Sequence, residues 1–146
     1  MAIRILVVDD HPAARKGLKA LLKEKSDWEV VGEASDGLEA MDKADSLRPD
    51  VVLLDVTMPK MHGLEVCRRL RQKTAGPEIL IVTQHDSPHM MREALDAGAR
   101  GYIVKSNAGR DLLEAVDAVS QHRVFVAQAR RNNMTSSRGP AASETD

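Results

Sequence analysis

The fold class can be inferred from residues 51–63, VVLLDVTMPKMHG, and from what surrounds them. Its four opening apolar residues form a run that is short enough for a strand and apolar enough to be buried on both faces. Such continuous runs are typical of the inner strands of parallel sheets, which helices cover on both sides. An ionisable residue, Asp55, follows the run directly. Its carboxylate is therefore predicted to lie where a buried strand reaches the edge of the sheet.

Helical patterns separate five strand candidates along the chain. The candidates are residues 3–8, 28–33, 51–55, 78–83 and 101–104. Between them, apolar residues recur at the spacing of one helical face, as at Leu38, Met41 and Leu47 in the second interval. Strands and helices that alternate at this spacing predict right-handed βαβ units, and hence an α/β fold whose parallel sheet is covered on both faces.

Residues that start and stop helices agree with this alternation. Pro12 suits the first turn of a helix, and Asp36 with Glu39 resembles a capping box. Ser87-Pro88 provides an N-cap followed by a proline at the first helical position. Gly98 can end the fourth helix in a left-handed conformation.

Length, charge and cysteine content limit the class of protein. The 146 residues, 42% of them hydrophobic, can bury one core but not two. We predict one domain over residues 1–126 and a disordered tail over 127–146, where the apolar periodicity stops. A net charge of -1 lacks the basic footprint of a nucleic-acid-binding domain. The single cysteine, Cys67, cannot form an internal disulfide. The sequence also shows no leader and no long apolar run, so we predict a cytoplasmic protein that does not enter a membrane.

Charged residues gather where the predicted strands end. Asp9 and Asp10 follow the first strand, Asp55 follows the third, and Lys105 follows the fifth. The carboxyl ends of parallel strands share one edge of the sheet, so these side chains are predicted to converge. Two carboxylates about 4 Å apart repel by roughly 4 kcal/mol near a protein surface. The cluster of aspartates is therefore predicted to bind a cation. Mg²⁺ is the expected ion, because it is commonly bound by a few carboxylates together with water and phosphate oxygens.

A metal, a lysine and a hydroxyl around one aspartate favour phosphoryl transfer to that aspartate. Lys105 can balance the charge of an incoming phosphoryl group, and Thr83, which ends the fourth strand, can donate a hydrogen bond to it. Asp55 can then act as the nucleophile. Each residue alone has a plainer explanation as a cap, a surface charge or a β-former, so the prediction depends on their joint occurrence.

The joint pattern resembles the receiver domain of two-component response regulators over roughly residues 3–125. The motifs that carry the resemblance are Asp9-Asp10, Asp55-x-x-Met58-Pro59-x-Met61-x-Gly63, Thr83 and Tyr102-x-x-Lys105. The sequences of residues 9–12 and 97–102 are similar to the corresponding segments of the NarL/FixJ subfamily. The resemblance implies a flavodoxin-like (βα)5 doubly wound parallel sheet with strand order 2-1-3-4-5.

The resemblance also implies a phosphoacceptor and a metal site. Asp55 would accept the phosphoryl group. Mg²⁺ would be bound by Asp10, Asp55 and the backbone carbonyl of Thr57, and Asp9 would act through a metal-bound water. The domain would catalyse only its own phosphorylation and dephosphorylation.

A switch and its partners follow from the same resemblance. The phosphoryl group would pull the Thr83 hydroxyl inward and let the Tyr102 ring rotate toward the core. A sensor histidine kinase or phosphotransfer protein would supply the phosphoryl group, and a downstream protein would read the changed surface. A phosphorylation-dependent homodimer stays open, while direct DNA binding and membrane contact are not expected.

Two residues depart from the family pattern. Ser106 follows Lys105, where many receivers have a proline in a cis peptide, so the geometry of this bond is left open. Gln84 follows Thr83, where many receivers have a small residue, and its side chain is expected to cover the phosphorylation site in part.

Three alternative functions compete with a single-domain response regulator. A haloacid-dehalogenase-like phosphatase would need a second acid where Thr57 stands. A flavin binder would need a phosphate loop after the first strand, where Asp9-Asp10 would repel phosphate. The runner-up is the receiver portion of a transcriptional regulator without its helix-turn-helix domain.

The histidines and methionines have plainer explanations than ligand binding. The histidines form no metal-ligand spacing with Cys67 and are predicted to be surface or loop residues: His11, His62, His85 and His89. Four methionines are predicted to pack rather than to form a binding site: Met58, Met61, Met90 and Met91.

Overall fold

A computed structural model describes residues 2–73 and 76–126 of the chain. The strands are β1 (Arg4–Val8), β2 (Glu29–Ala34), β3 (Val51–Leu54), β4 (Glu78–Thr83), β5 (Gly101–Val104) and β6 (Phe125–Val126). The helices are α1 (Pro12–Leu22), α2 (Gly37–Leu47), α3 (Gly63–Arg71), α4 (Pro88–Asp96) and α5 (Ala108–Ser120), with a 3₁₀ turn at Lys105–Asn107. The segment predicted to be a disordered tail, 127–146, lies outside the described residues.

The strands form one parallel sheet of order β2-β1-β3-β4-β5-β6. The predicted flavodoxin-like α/β fold and the order 2-1-3-4-5 are confirmed, and the five predicted strands lie within one residue of their predicted bounds. This order makes β1 and β3 neighbours and leaves only β4 between β3 and β5. The carboxyl ends of β1, β3 and β5 therefore meet along a short part of one sheet edge.

The sixth strand was not predicted. Phe125 pairs with Gly101, and its N–H donates to the carbonyl of Arg100 at 3.1 Å. The Phe125 side chain is buried and belongs to the core beneath α1 and α5. Two residues are too few to display an alternating pattern, so only the tertiary packing reveals this strand.

A separate core covers each face of the sheet. Along β1, Leu6 and Val8 face the core beneath α2, α3 and α4, whereas Ile5 and Val7 face the core beneath α1 and α5. All four side chains are buried, and burial of one such aliphatic side chain stabilises the fold by about 1.5–3 kcal/mol. Within the described ranges, no helix is long and apolar enough to cross a bilayer.

The prediction of which residues form the buried face of α2 is partly wrong. Met41 and Leu47 pack against the core as predicted, but Leu38 is 52% exposed. The helix instead buries two small residues, Ala40 and Ala44. Small side chains let α2 approach the sheet closely, and Leu38, in the first turn, lies outside that contact.

The predicted helix caps are present. Asp36 Oδ1 accepts a hydrogen bond from the Glu39 N–H at 2.9 Å, and Ser87 Oγ accepts one from the N–H three residues on at 3.1 Å. The Glu39 carboxylate reaches back to the N–H of Ser35 at 2.8 Å, one residue before the N-cap. This backbone hydrogen bond, with the contact to Lys43, lowers the pKa of Glu39 to about 2.

Gly63, the first residue of α3, fixes the loop that follows β3. Its N–H donates to the carbonyl of Val56 at 3.0 Å. A Cβ at this position would lie 2.2 Å from the Asp55 carbonyl oxygen and 2.5 Å from Val56 Cα. These neighbours are backbone atoms that cannot rotate away, so the helix and the Asp55 loop fit only because residue 63 has no side chain.

Gly63→Ala is therefore expected to destabilise the protein by about 1–3 kcal/mol, since the methyl group overpacks against backbone. The matched control is Gly17→Ala in the middle of α1, where a Cβ would meet nothing within 4 Å. The control should raise the free energy of unfolding by about 0.5–1 kcal/mol through helix propensity alone. Urea unfolding followed by circular dichroism measures both, and equal effects of the two substitutions would contradict the close approach.

Candidate functional site

The ends of β1, β3 and β5 bring three of the predicted site residues together. The Nζ atom of Lys105 lies 2.7 Å from Asp9 Oδ2 and 3.1 Å from Asp55 Oδ2. Both carboxylates are buried, whereas the lysine side chain is 21% exposed. Lys105 donates a hydrogen bond to Asp55. Its contact with Asp9 Oδ2 is short but does not have the geometry of a hydrogen bond. The ammonium thus holds two buried carboxylates chiefly by its charge.

The charged groups around Lys105 change the pKa of its ammonium. Burial by itself would lower the pKa of the ammonium, but the contacts to Asp9 and Asp55 outweigh burial, and the net shift is upward from 10.5. The lysine is therefore charged across the whole physiological pH range. A permanently charged ammonium next to Asp55 is suited to neutralise additional negative charge at that carboxylate.

Three carboxylates share this one ammonium. Asp10 lies beside Asp9, and ligand atoms of Asp9, Asp10, His11 and Asp55 lie within 4.8 Å of one another. Asp9 Oδ2 and Asp10 Oδ1 are buried without a hydrogen bond. Lys105 already lies 2.7 Å from Asp9 Oδ2, but one ammonium cannot offset three carboxylates, and buried carboxylate oxygens are costly unless cations satisfy them. The donor set therefore fits Mg²⁺, which takes oxygen ligands from a few carboxylates.

His11 belongs to this acidic group. Its Nδ1 atom lies 3.3 Å from Asp9 Oδ1 and 3.1 Å from Asp10 Oδ1, and its backbone N–H donates to Asp9 Oδ1 at 2.9 Å. The side chain is 65% exposed, so it is a surface histidine as predicted. The prediction missed its contact with the carboxylates, although its position directly after Asp10 could have suggested one.

Thr57 lies on the loop that follows β3. Its N–H donates to Asp55 Oδ1 at 3.3 Å, and its hydroxyl lies 3.1 Å from His85 Nε2. The two carboxylate oxygens of Asp55 therefore have different partners, since Oδ2 faces Lys105 and Oδ1 faces the Thr57 loop.

Thr83 and Tyr102 both bind the backbone of His85. Thr83 is fully buried, and its hydroxyl accepts a hydrogen bond from the His85 N–H at 3.3 Å. The Tyr102 hydroxyl donates to the His85 carbonyl, and the side chain is 1% exposed. Tyr102 thus has its ring in the core and its hydroxyl paired, as a buried tyrosine normally does.

The remaining histidines and methionines have structural contacts. His62 Nδ1 accepts a hydrogen bond from the Leu64 N–H at the start of α3. All four methionines pack against the core beneath α2, α3 and α4, as predicted: Met58, Met61, Met90 and Met91. His85 had no signal in the sequence, because its partners lie 17 and 28 residues away in the chain.

The two departures from the family pattern have simple local structures. No peptide bond in the described ranges is cis, so the Lys105–Ser106 bond is trans and opens the 3₁₀ turn. The Gln84 side chain is exposed.

Comparisons with known proteins agree with the fold and identify the family. The family model described as the response regulator receiver domain matches residues 5–117. A crystal structure of a two-component response regulator of the LuxR family from Aurantimonas sp. SI85-9A1 superposes with a TM-score of 0.87. It is 33% identical in sequence, and the match covers 95% of this chain and 99% of that one.

Two curated relatives are longer than the present chain. The nitrate/nitrite response regulator NarL of Escherichia coli K12 is 38% identical over 125 residues, which is 86% of this chain and 58% of NarL. The DNA-binding transcriptional activator DevR/DosR of Mycobacterium tuberculosis is 40% identical over 121 residues, which is 83% of this chain and 56% of DevR/DosR. The chain therefore spans somewhat more than half the length of these relatives, and the predicted similarity to NarL is confirmed.

The surplus of carboxylates generates a prediction about metal binding. Without metal, Asp10→Asn should raise the free energy of unfolding by about 1 kcal/mol, because one of three carboxylates around a single ammonium is removed at a partly exposed position. With Mg²⁺ at one hundred times its dissociation constant, the wild-type protein should gain about 2.7 kcal/mol, and the variant should gain much less.

The matched control is Asp42→Asn, which removes the charge of an exposed aspartate on α2. It should leave the gain from Mg²⁺ unchanged. Thermal unfolding across a magnesium titration measures all three proteins. An equal gain in wild type and Asp10→Asn would show that Asp10 is not a ligand.

Proposed function

Because the chain belongs to the response regulator receiver domain family, we propose that Asp55 is the phosphoacceptor of a switch in two-component signalling. The observation that carries this proposal is the contact between Lys105 Nζ and Asp55 Oδ2 at the end of the central strand β3. Asp9 is equally buried and also faces the lysine, but Asp55 is the one of the two that accepts a hydrogen bond from Lys105.

The carboxylate of Asp55 supplies the nucleophile. One of its oxygens forms a bond to phosphorus as the bond from phosphorus to the donor breaks, and the leaving nitrogen of a donor phosphohistidine takes up a proton. Lys105 offsets part of the negative charge that is spread over the three oxygens of the phosphoryl group during this step. Water later hydrolyses the acyl phosphate, which releases inorganic phosphate and restores the carboxylate.

The acidic group would hold Mg²⁺ during the transfer. Asp9, Asp10, Asp55 and the backbone of Thr57 are the residues proposed to hold it, and the bound ion would neutralise charge on the phosphoryl oxygens. The two buried carboxylate oxygens that have no hydrogen bond support this assignment.

Thr83 and Tyr102 are the proposed switch residues. A hydroxyl can accept one hydrogen bond and donate another, so Thr83 can retain the His85 N–H while it donates to a phosphoryl oxygen. The Tyr102 ring is already buried. Phosphorylation would therefore fix the ring in the core rather than draw it in from solvent, and the surface that responds would be residues 88–121.

The proposed partners lie on either side of the phosphoryl transfer. A sensor histidine kinase or a phosphotransfer protein would donate the phosphoryl group, and a downstream protein would bind the changed surface of α4, β5 and α5. We place the receiver at residues 1–126 of this chain.

A second candidate is the receiver portion of a DNA-binding regulator. The similarity to DevR/DosR, together with the 56% of that protein that the chain covers, favours this alternative. The switch at Asp55 is the same in both cases. The mass of the protein expressed from its native gene decides between them, because a DNA-binding regulator would be larger than 16.0 kDa.

Incubation with Mg²⁺ and acetyl phosphate should add one phosphate of about 80 Da to the protein, labile to hydroxylamine as an acyl phosphate is. Asp55→Asn should abolish the addition, and excess chelator should prevent it. Intact-mass spectrometry measures the product. Asp50→Asn, at the amino end of β3, is the control and should be phosphorylated normally. A hydroxylamine-labile phosphate on Asp55→Asn would refute the assignment.

The role of Thr83 as a switch predicts a separation between phosphorylation and its consequence. Thr83→Ala should still accept phosphate at Asp55 but lose most of the change in amide hydrogen exchange over residues 88–121 that beryllofluoride causes in wild type. Thr83→Ser keeps the hydroxyl and should retain that change. If Thr83→Ala and wild type respond identically to beryllofluoride, Thr83 does not couple the site to this surface.

A further inference from the structure

His85 connects three parts of the site region although it lies on a loop. Its imidazole Nε2 is 3.1 Å from the hydroxyl of Thr57 in the loop after β3. Its backbone N–H donates to Thr83 at the end of β4, and its carbonyl accepts from the hydroxyl of Tyr102 on β5. One residue thus contacts the Asp55 loop with its side chain and the two proposed switch residues with its backbone.

These contacts form a continuous path from the carboxylate to the core. The Thr57 N–H donates to Asp55 Oδ1, the Thr57 hydroxyl pairs with the His85 imidazole, and the His85 carbonyl holds Tyr102. Thr57 is exposed and Tyr102 is buried, so the path runs from the solvent side of the site into the core beneath α2, α3 and α4. Only a few covalent bonds separate the imidazole from the carbonyl of the same residue.

We infer that His85 is a positioning residue that couples the loop after Asp55 to the ring of Tyr102. The imidazole fixes the His85 backbone relative to Thr57, and this backbone supplies the acceptor that sets where the Tyr102 hydroxyl lies. A displacement of the Thr57 loop therefore reaches Tyr102 through the Thr57–His85 hydrogen bond. That phosphorylation at Asp55 uses this path rests on the proposed function, whereas the coupling itself belongs to the unphosphorylated protein.

A plainer explanation is that the hydrogen bonds of His85 are independent of one another. The Tyr102 hydroxyl binds a backbone carbonyl, which every residue at position 85 possesses. Under that explanation the imidazole and Thr57 have no influence on the tyrosine. The two explanations differ in what a change at Thr57 does to Tyr102, because no direct bond between Thr57 and Tyr102 takes part in the proposed path.

The chain offers a site-specific probe, since Tyr102 is its single tyrosine. Protein labelled with 3-fluorotyrosine gives one fluorine resonance that reports the surroundings of this ring. Thr57→Val removes the hydroxyl at nearly constant shape and should displace or broaden the resonance. Thr57→Ser keeps the hydroxyl and should leave the resonance at its wild-type position. These spectra are recorded without phosphodonor or beryllofluoride.

His85→Ala completes a double-mutant cycle. It should displace the resonance in the same direction as Thr57→Val, and the double variant should show no more displacement than His85→Ala alone, because both substitutions break the same bond. The control is His89→Ala, which removes an exposed imidazole paired with Glu93 on α4 and should leave the resonance in place. Circular dichroism verifies that each variant is folded.

A Thr57→Val resonance that coincides with wild type would overturn the inference, and so would additive displacements in the double variant. Acetyl phosphate labelling of the wild-type protein and of Asp55→Asn separates this outcome from a failure of the proposed function. Loss of coupling with normal labelling at Asp55 refutes only the role of His85. Coupling without any labelling at Asp55 supports the role of His85 and refutes the phosphoacceptor assignment.

Discussion

The ammonium of Lys105 lies between the carboxylates of Asp9 and Asp55 and ties the charge balance of the site to the topology of the sheet. Both acids are buried, and a buried ion costs several kcal/mol unless a partner of opposite charge is close. The partners follow three different strands, so their contact requires the parallel sheet and its strand order. The two apolar cores that build the sheet therefore also determine whether the charges can meet.

The same edge carries more negative charge than its lysine can balance. Asp10 adds a third carboxylate, and the buried oxygens Asp9 Oδ2 and Asp10 Oδ1 accept no hydrogen bond. The fold tolerates this surplus because strongly apolar strands and close backbone contacts, such as the approach of Gly63 to the Asp55 carbonyl, hold the loops in place. Under the proposed function, a cation and a phosphoryl group would act on an unbalanced charge that is held in a rigid frame.

The sequence determined the fold and the centre of the site because both depend on local signals. Apolar runs and helical periodicity identify the first five strands and the helices between them. The rule that the carboxyl ends of parallel strands share one edge then brings Asp9, Asp55 and Lys105 together without any coordinates. The helix caps at Asp36 and Ser87 could also be predicted from the sequence, because an N-cap residue and its partner lie within one helical turn.

Tertiary structure alone decided the features that depend on residues far apart in the chain. His85 has neither periodicity nor a motif, and its contacts to Thr57 and Tyr102 exist only because two loops and a strand are packed together. The exposure of Leu38 depends on how closely the small residues of α2 let that helix approach the sheet. The pairing of β6 depends on a neighbouring strand, since Phe125–Val126 is too short to have a pattern of its own. A sequence records local preference along the chain, whereas these features are set by which surfaces the folded chain brings into contact.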